Sequence, residues 1–341
     1  MATAVAPSRY ELPNAGPTVP APGAPFEALS VVLDAPGALS LRAVPHRAAG
    51  DADALVEVEW TGVSAGTERL FWRGTMPHFP GMQYPLVPGY ETVGRVVWAG
   101  PESGRTEGER VFVPGAYSAT GVANLFGGAC RRLVAPGARL VPLGADVGAE
   151  GILLALGATA LHAVRGNAAL PDLIVGRGAL GRLAARLVVA LGGPPPTVWE
   201  VAGARRAGAE GYAVVDPDAD PRRDYACVCE LSGSAALLNG LIGRLRKGGD
   251  VVLAGFYTAP LTFDYVPAFL REARVRVAAG WGPDDLAEVR ALAAAGRLSL
   301  DGIATHSADV ASGAAAVRAA YATAFDDPDC IKMILDWRQC P

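Results

Sequence analysis

Cysteine is scarce and odd in number: five in 341 residues, at Cys130, Cys227, Cys229, Cys330 and Cys340. That excludes a disulfide scaffold, and with no secretory pattern in the Met-Ala-Thr-Ala start it points to reduced thiols in a cytoplasm. Long apolar runs are missing as well. A membrane helix needs roughly 20 apolar residues; the best stretch, Gly151–Val164, is shorter and carries His162. No long basic run appears and the net charge is −4, so nucleic acid is not an expected partner. Residues 1–28 are rich in Pro and Ala but have no hydrophobic period, which predicts a flexible leader. The rest, with 51% hydrophobic and 19% charged residues, is globular, and its length predicts two domains.

What is present is organised around residues 173–200. Leu173, Ile174 and Val175 form the short apolar run of a buried parallel strand. Gly176, Gly178 and Gly181 follow in G-x-G-x-x-G spacing, with Leu180 inside the motif, and an amphipathic helix runs on through about Leu191. A second strand, Thr197–Glu200, completes the first half of a dinucleotide-binding unit. Gly176 permits the turn, Gly178 lets a pyrophosphate reach the backbone, and Gly181 lets helix and strand pack closely. The helix N-terminus offers free N–H groups to phosphate. Glu200, 24 residues after Gly176, is placed to accept from an adenosine ribose and to repel a 2′-phosphate, which favours NAD over NADP. Arg205 and Arg206 follow closely and soften that preference.

Before this unit the pattern is of short strands: Leu29–Leu33 and Leu39–Val44 around Pro36-Gly37, then Ala54–Trp60, Thr92–Ala99, Arg110–Val113, Arg131–Val134 and Leu140–Pro142. These predict a small antiparallel barrel. After it, strands and helices alternate: strands Tyr212–Val215, Tyr225–Glu230, Asp250–Gly255 and Val275–Ala279, helices Ala235–Leu245 and Asp284–Ala295, and a turn at Lys247-Gly-Gly. A further helix, Ala311–Ala324, lies between strands near Gly302–His306 and Ile331–Leu335. Ser232, Gly233, Gly255 and Phe256 follow strand ends at the carboxyl edge, where dinucleotides bind, and are expected cofactor contacts. The segment from Leu70 to Glu91 is dense in Pro, Gly, Met and aromatics. Its Phe71, Trp72, Met76, Phe79, Met82 and Tyr84 suit a flat apolar wall for a planar ligand, or simply pack the barrel. His162 reads as a core histidine, His78 as an exposed one, and His46 and His306 as peripheral.

Several motifs together resemble the medium-chain dehydrogenase/reductase superfamily: Gly66-Thr-Glu68, Gly89-Tyr-Glu-Thr-Val-Gly94, Gly108-Glu-Arg-Val-Phe-Val113, Gly176–Gly181 and Lys247–Gly255. The resemblance implies an α/β protein with a Rossmann-fold parallel sheet domain at 156–295. A GroES-like antiparallel β-barrel catalytic domain would span 29–155 and 296–341. Longer segments, among them Phe79–Glu91 and Ala322–Trp337, resemble the branch of that superfamily that acts in bacteriochlorophyll synthesis. This implies NAD-dependent oxidation of the 3-(1-hydroxyethyl) group of a bacteriochlorophyllide, a tetrapyrrole, to 3-acetyl. Homodimers are common for the fold, so a homodimer is expected by analogy. The poorly soluble pigment makes a cytoplasmic enzyme at the photosynthetic membrane surface a second expectation.

Zinc-dependent relatives carry Cys-x-Thr-Asp, where this chain has Ala65-Gly-Thr67-Glu68, and Gly-His-Glu, where it has Gly89-Tyr90-Glu91. The third ligand would fall near Leu154–Leu156, and the loop that holds four cysteines in some relatives has only Cys130. No zinc is expected. The resemblance places Thr67 at the substrate hydroxyl, Tyr90 where the zinc-ligand His stands, Glu91 as a tuning acid behind it, and Thr159 near the nicotinamide. Tyr90 is then an orienter or a base, a poor one at an ordinary phenol pKa near 10. Two other readings stay open: a zinc-free quinone or enoyl reductase, which generally favours NADPH, and a non-catalytic carrier of pigment and dinucleotide.

Overall fold

The computed structural model describes residues 23–77, 82–144, 147–209 and 211–340. The chain opens on an antiparallel hairpin, β1 (Phe26–Ala35) and β2 (Ala38–His46). Gly37 takes φ +72° at the turn, as Pro followed by Gly predicts. Phe26 pairs with His46 and stacks on its ring at 5.3 Å. That contact starts the strand three residues earlier than the leader expected from sequence; residues 1–22 of that leader lie outside the described residues. The stack also buries His46, which donates to or accepts from Ser118 at 2.8 Å and is held neutral, burial pushing its pKa down to about 4. It is not peripheral.

β3 (Asp53–Val63) is the long central strand and is almost wholly buried. A short helix, α1 (Glu68–Trp72), leads through the Pro- and Met-rich segment to β4 (Leu86–Val87) and β5 (Thr92–Ala99). β6 (Arg110–Val113), β7 (Ala123–Asn124), β8 (Arg132–Pro136) and β9 (Val141–Pro142) complete the barrel part.

The period then changes. α2 (Leu154–Val164) packs beside the unit β10 (Leu173–Val175), α3 (Ala179–Ala190) and β11 (Thr197–Trp199). There follow α4 (Gly203–Arg206), β12 (Ala213–Val215), β13 (Tyr225–Glu230), α5 (Leu238–Gly243), β14 (Leu245–Leu253), α6 (Tyr265–Arg271), β15 (Arg274–Val277) and α7 (Pro283–Ala294). The six strands form a wholly parallel sheet in the order β12-β11-β10-β13-β14-β15. The order reverses between β10 and β13, the switch point at which a doubly wound sheet binds its ligand.

The chain finally returns to the barrel through β16 (His306–Asp309), α8 (Ala314–Asp326) and β17 (Met333–Asp336), which pairs antiparallel with β3. The barrel sheets run β2-β1-β4-β7 and β16-β17-β3-β5-β6-β9, with β8 on β3. Two details differ from the sequence expectation. Lys247-Gly-Gly is not a turn before a strand but lies inside β14, at a register shift, and the helix before it shrinks to Leu238–Gly243. Gly240 and Gly243 weaken that helix, and Leu245 is claimed by the sheet. α6 is the other. Its Tyr265, Val266, Phe269 and Leu270 are exposed, so no buried stripe marked it as a helix.

Candidate active site

At the carboxyl end of β10 the glycines of the motif differ in the space around them. Nothing lies within 4 Å of where a Cβ on Gly178 would be, whereas one on Gly181 would sit 1.9 Å from the Gly176 carbonyl oxygen. Gly178 therefore leaves an open cradle at the uncapped N-terminus of α3, and Gly181 closes the helix onto the strand. Glu200 is buried, with Oε2 accepting from the Arg177 N–H at 3.1 Å and Oε1 from the Ala202 N–H at 2.8 Å. The arginines behind it are committed elsewhere. Arg206 donates to Asp216 at 2.7 Å and to the Glu200 carbonyl at 3.1 Å, and Arg205 donates to the Pro328 carbonyl. Arg206 thus stands at the acidic end of β11 with its charge shared by Asp216. These residues fit the pyrophosphate and ribose of a dinucleotide.

Ser232, Gly255 and Phe256 meet at the same edge, around a residue the sequence did not single out. Glu230 ends β13 fully buried and accepts from the Ser232 N–H at 2.8 Å, the Ser232 hydroxyl, the Gly233 N–H at 3.1 Å and the Tyr257 hydroxyl. One carboxylate thus ties together the loops after β13 and β14, and Phe256 projects from them half exposed. Its only sequence signal is an acid closing the apolar strand Tyr-Ala-Cys-Val-Cys-Glu. Leu180 packs against the core under α3. The Thr159 hydroxyl donates back to Ala155 within α2 at 2.9 Å, so in this state it serves its own helix. His162 is paired with Asp285 of α7 at 3.1 Å and is half exposed, not a core histidine.

On the barrel side, antiparallel pairing of Thr61 in β3 with Thr92 in β5 brings Ser64, just after β3, to Tyr90, two residues before β5. The Ser64 hydroxyl meets the Tyr90 phenol at 2.7 Å, the Thr67 N–H donates to Ser64 Oγ at 3.3 Å, and the Thr67 hydroxyl also faces the phenol. Thr67 and Tyr90 are thus brought together, with Ser64 as a third hydroxyl. Burial and the Glu91 charge push the Tyr90 pKa further up, more than the Ser64 and Thr67 hydroxyls pull it down. Without a cofactor in place Tyr90 is thus held as a neutral hydroxyl, hydrogen-bonded to Ser64.

Glu91 does not face that cluster. It is fully buried, and both its oxygens accept from Lys332, at 2.8 and 2.7 Å, while the ammonium also donates to the Val63 carbonyl at 3.2 Å. A Cβ on Gly62 would lie 2.1 Å from Glu91 Oε2, so the pair fits only against a glycine. Glu68 completes a buried set of two acids and one base. Burial, then the Glu91 charge, push its pKa up to about 8, with the Tyr321 hydroxyl of α8 and the Lys332 charge opposing in part.

This has a consequence for stability. Glu68 keeps a proton in the folded chain that the unfolded chain releases above its ordinary value of 4.5. Between these values the folded state binds more protons, so stability falls as pH rises, by at most about 1.4 kcal/mol per unit from this group. In urea unfolding from pH 5 to 9, Glu68→Gln is expected to flatten the slope and to be more stable than the parent at pH 9. An unchanged slope would show that Glu68 is ionised throughout.

The aromatic segment is divided between the barrel core and a surface cavity. Phe71 is 2% exposed within the barrel core, Trp72 packs on Phe325 at 6.1 Å, and Met76, Met82 and Tyr84 pack against the same core. Phe71, Met76, Met82 and Tyr84 line an open cavity of about 200 Å³. Phe79 and His78 lie outside the described residues. Among the described residues no three His, Cys, Asp or Glu side chains gather to hold a metal ion. No helix among them is long and apolar enough to cross a membrane.

Residues 50–145 match the family model of the alcohol dehydrogenase GroES-like domain. Two curated proteins are similar along almost the whole chain. The 2-desacetyl-2-hydroxyethyl bacteriochlorophyllide A dehydrogenase of Rhodobacter capsulatus is 54% identical, covering 92% of this chain and 99% of its own. That of Cereibacter sphaeroides is 52% identical, covering 91% and 98%. Among solved structures, 2R,3R-butanediol dehydrogenase of Bacillus subtilis superposes with a TM-score of 0.79 at 19% identity, covering 91% of this chain and 99% of that one. L-idonate 5-dehydrogenase of Escherichia coli superposes at 0.80 and 18%, covering 92% and 99%. The chain is a nicotinamide-dependent oxidoreductase acting on CH–OH, and it belongs to the bacteriochlorophyllide a dehydrogenase family of the medium-chain dehydrogenase/reductase superfamily.

Proposed function

We propose that the chain oxidises the hydroxyethyl side chain of a bacteriochlorophyllide to acetyl, with NAD as the hydride acceptor and without a catalytic zinc. The observation that carries this is the Ser64–Tyr90 hydroxyl pair standing where relatives place a zinc-ligand histidine. Ala65 and Leu154–Leu156, at the other ligand positions, offer no donor a zinc ion would accept. The nicotinamide, once bound, supplies the acceptor for hydride. The carbinol carbon of this substrate is attached to the macrocycle, whose π system stabilises positive charge there as hydride departs. That lowers the need for a metal to form the alkoxide first. Tyr90, Ser64 and Thr67 orient the hydroxyl and carry its proton away. Gly178 and the start of α3 hold the pyrophosphate, and Glu200 the ribose.

Glu200 also sets the cofactor. Its two backbone bonds fix it at the end of β11, where a 2′-phosphate would meet its charge. Glu200→Ala is expected to lower kcat/KM for NAD about tenfold and to narrow or abolish the preference over NADP. The direct test is anaerobic incubation of the purified chain with NAD and 3-(1-hydroxyethyl) bacteriochlorophyllide a. A red-shifted product with matching NADH supports the reading. Turnover only with NADPH and an unsaturated acceptor would favour the reductase, and pigment binding without turnover the carrier. Stoichiometric zinc retained after chelator washing would sink the zinc-free part.

We also propose a homodimer. β15 is an edge strand with Val275 and Val277 exposed, and α6 beside it exposes Tyr265, Val266, Phe269 and Leu270. Such a contiguous apolar face marks an interface. Light scattering that gives the mass of one chain would refute it.

A further inference from the structure

Two aromatic residues on either side of β7 hold left-handed backbone, Tyr117 at φ 58° and Phe126 at φ 73°. Only one other non-glycine residue with positive φ occurs among the described residues, Glu272 at the end of α6. This conformation is unfavourable for an aromatic residue, and strain of this kind collects at functional sites. Here it builds a continuous aromatic run out of the catalytic cluster. Tyr90 meets Phe126 edge to face at 5.1 Å, and Phe126 meets Tyr117 in the same way at 6.1 Å. Tyr117 is 46% exposed. Above it, 5.1 Å from the ring centroid, stands the guanidinium of Arg139, itself exposed and without a carboxylate partner among the described residues. The Ser64–Tyr90 hydroxyls thus lie at one end of the run and an unneutralised cation at the other.

We propose that Phe126 and Tyr117, whose rings stand 64° apart, form the bed along which the macrocycle packs, one ring meeting it face-on and the other edge-on, and that Arg139 holds its propionate carboxylate. This rests on the bacteriochlorophyllide reading, since a chlorophyllide keeps a free propionic acid where a chlorophyll is esterified. Aromatic faces stack on flat rings, and a guanidinium pairs bidentately with a carboxylate. The arrangement fixes which edge of the pigment faces Tyr90. It also selects the free acid over its esters.

The test uses the full chain, with pigment binding followed by fluorescence and turnover measured separately with NAD. The probes are 3-(1-hydroxyethyl) bacteriochlorophyllide a and its methyl ester. The parent is expected to bind the acid about tenfold more tightly than the ester. Arg139→Gln is expected to bind both as weakly as the parent binds the ester. Tyr117→Asn keeps a residue that tolerates left-handed backbone and is expected to weaken both pigments about tenfold. Equal binding of acid and ester by the parent, or an acid preference that survives in Arg139→Gln, would overturn the role of Arg139. Undiminished binding by Tyr117→Asn would overturn the bed. Oxidation that proceeds while these variants are indifferent removes this inference and leaves the proposed function standing. Absence of pigment binding by the parent removes both.

Discussion

Lys332→Met is expected to lower the unfolding free energy by about 3–5 kcal/mol, the largest loss of stability from any single side chain at this site. The cost comes from what is left behind. Glu91 is fully buried, and its two oxygens take their ion pair from this one ammonium. Without it an uncompensated carboxylate sits beside Glu68, a second buried acid. The lysine also ties three elements together, because it lies at the start of β17, holds the residue before β5 and donates to the carbonyl at the end of β3. Urea unfolding of Lys332→Met against Glu91→Gln/Lys332→Met separates charge from packing. The double variant is expected to recover most of the loss, since removing both charges of a buried pair is often nearly neutral. A single-variant loss under about 1 kcal/mol would mean that water reaches Glu91 and that the pair is no keystone.

The same pair shows where reading the sequence stops. Gly176, Gly178, Gly181 and Glu200 were legible because each has a local reason: a turn, an open approach, a close packing, a strand end. Thr67 and Tyr90 were legible through resemblance, but Ser64 as the phenol's partner was not. That contact spans 26 positions and exists only because β3 and β5 pair in one register. Lys332 and Glu91 are 241 positions apart, and a lone lysine in the apolar run Cys-Ile-Lys-Met-Ile-Leu is the only hint. The segment rich in Met and aromatics could not be apportioned, because composition says nothing about which way side chains face. Phe71 turned inward to the barrel, while the aromatic beside Tyr90, Phe126, and the exposed Tyr117 next to it came from a glycine-rich segment with no period to read. Tyr117 and Phe126 stand out only through their backbone angles, which no composition reveals.

Tyr90→Phe is expected to lower kcat about 10²-fold with little change in the KM for pigment, and Ser64→Ala to do nearly the same. The two hydroxyls lie 2.7 Å apart and act as one path for the departing proton, so breaking either link breaks the path. The double variant is therefore expected to be no slower than the worse single one, since residues that act as a unit are not additive. The aromatic run is retained in Tyr90→Phe, because the ring that meets Phe126 is kept. The direction of the pKa shift makes the prediction sharper. Burial and Glu91 raise the phenol's pKa, so Tyr90 does not titrate across the working range of pH. The pH profile of kcat in Tyr90→Phe should then keep the parent's shape and drop in height alone. A profile that loses its rise towards alkaline pH would show instead that the phenolate is the base, held in that form by the oxidised cofactor. Near-parental turnover in both single variants would remove the hydroxyl path and move the proton to Thr67 or to bound water.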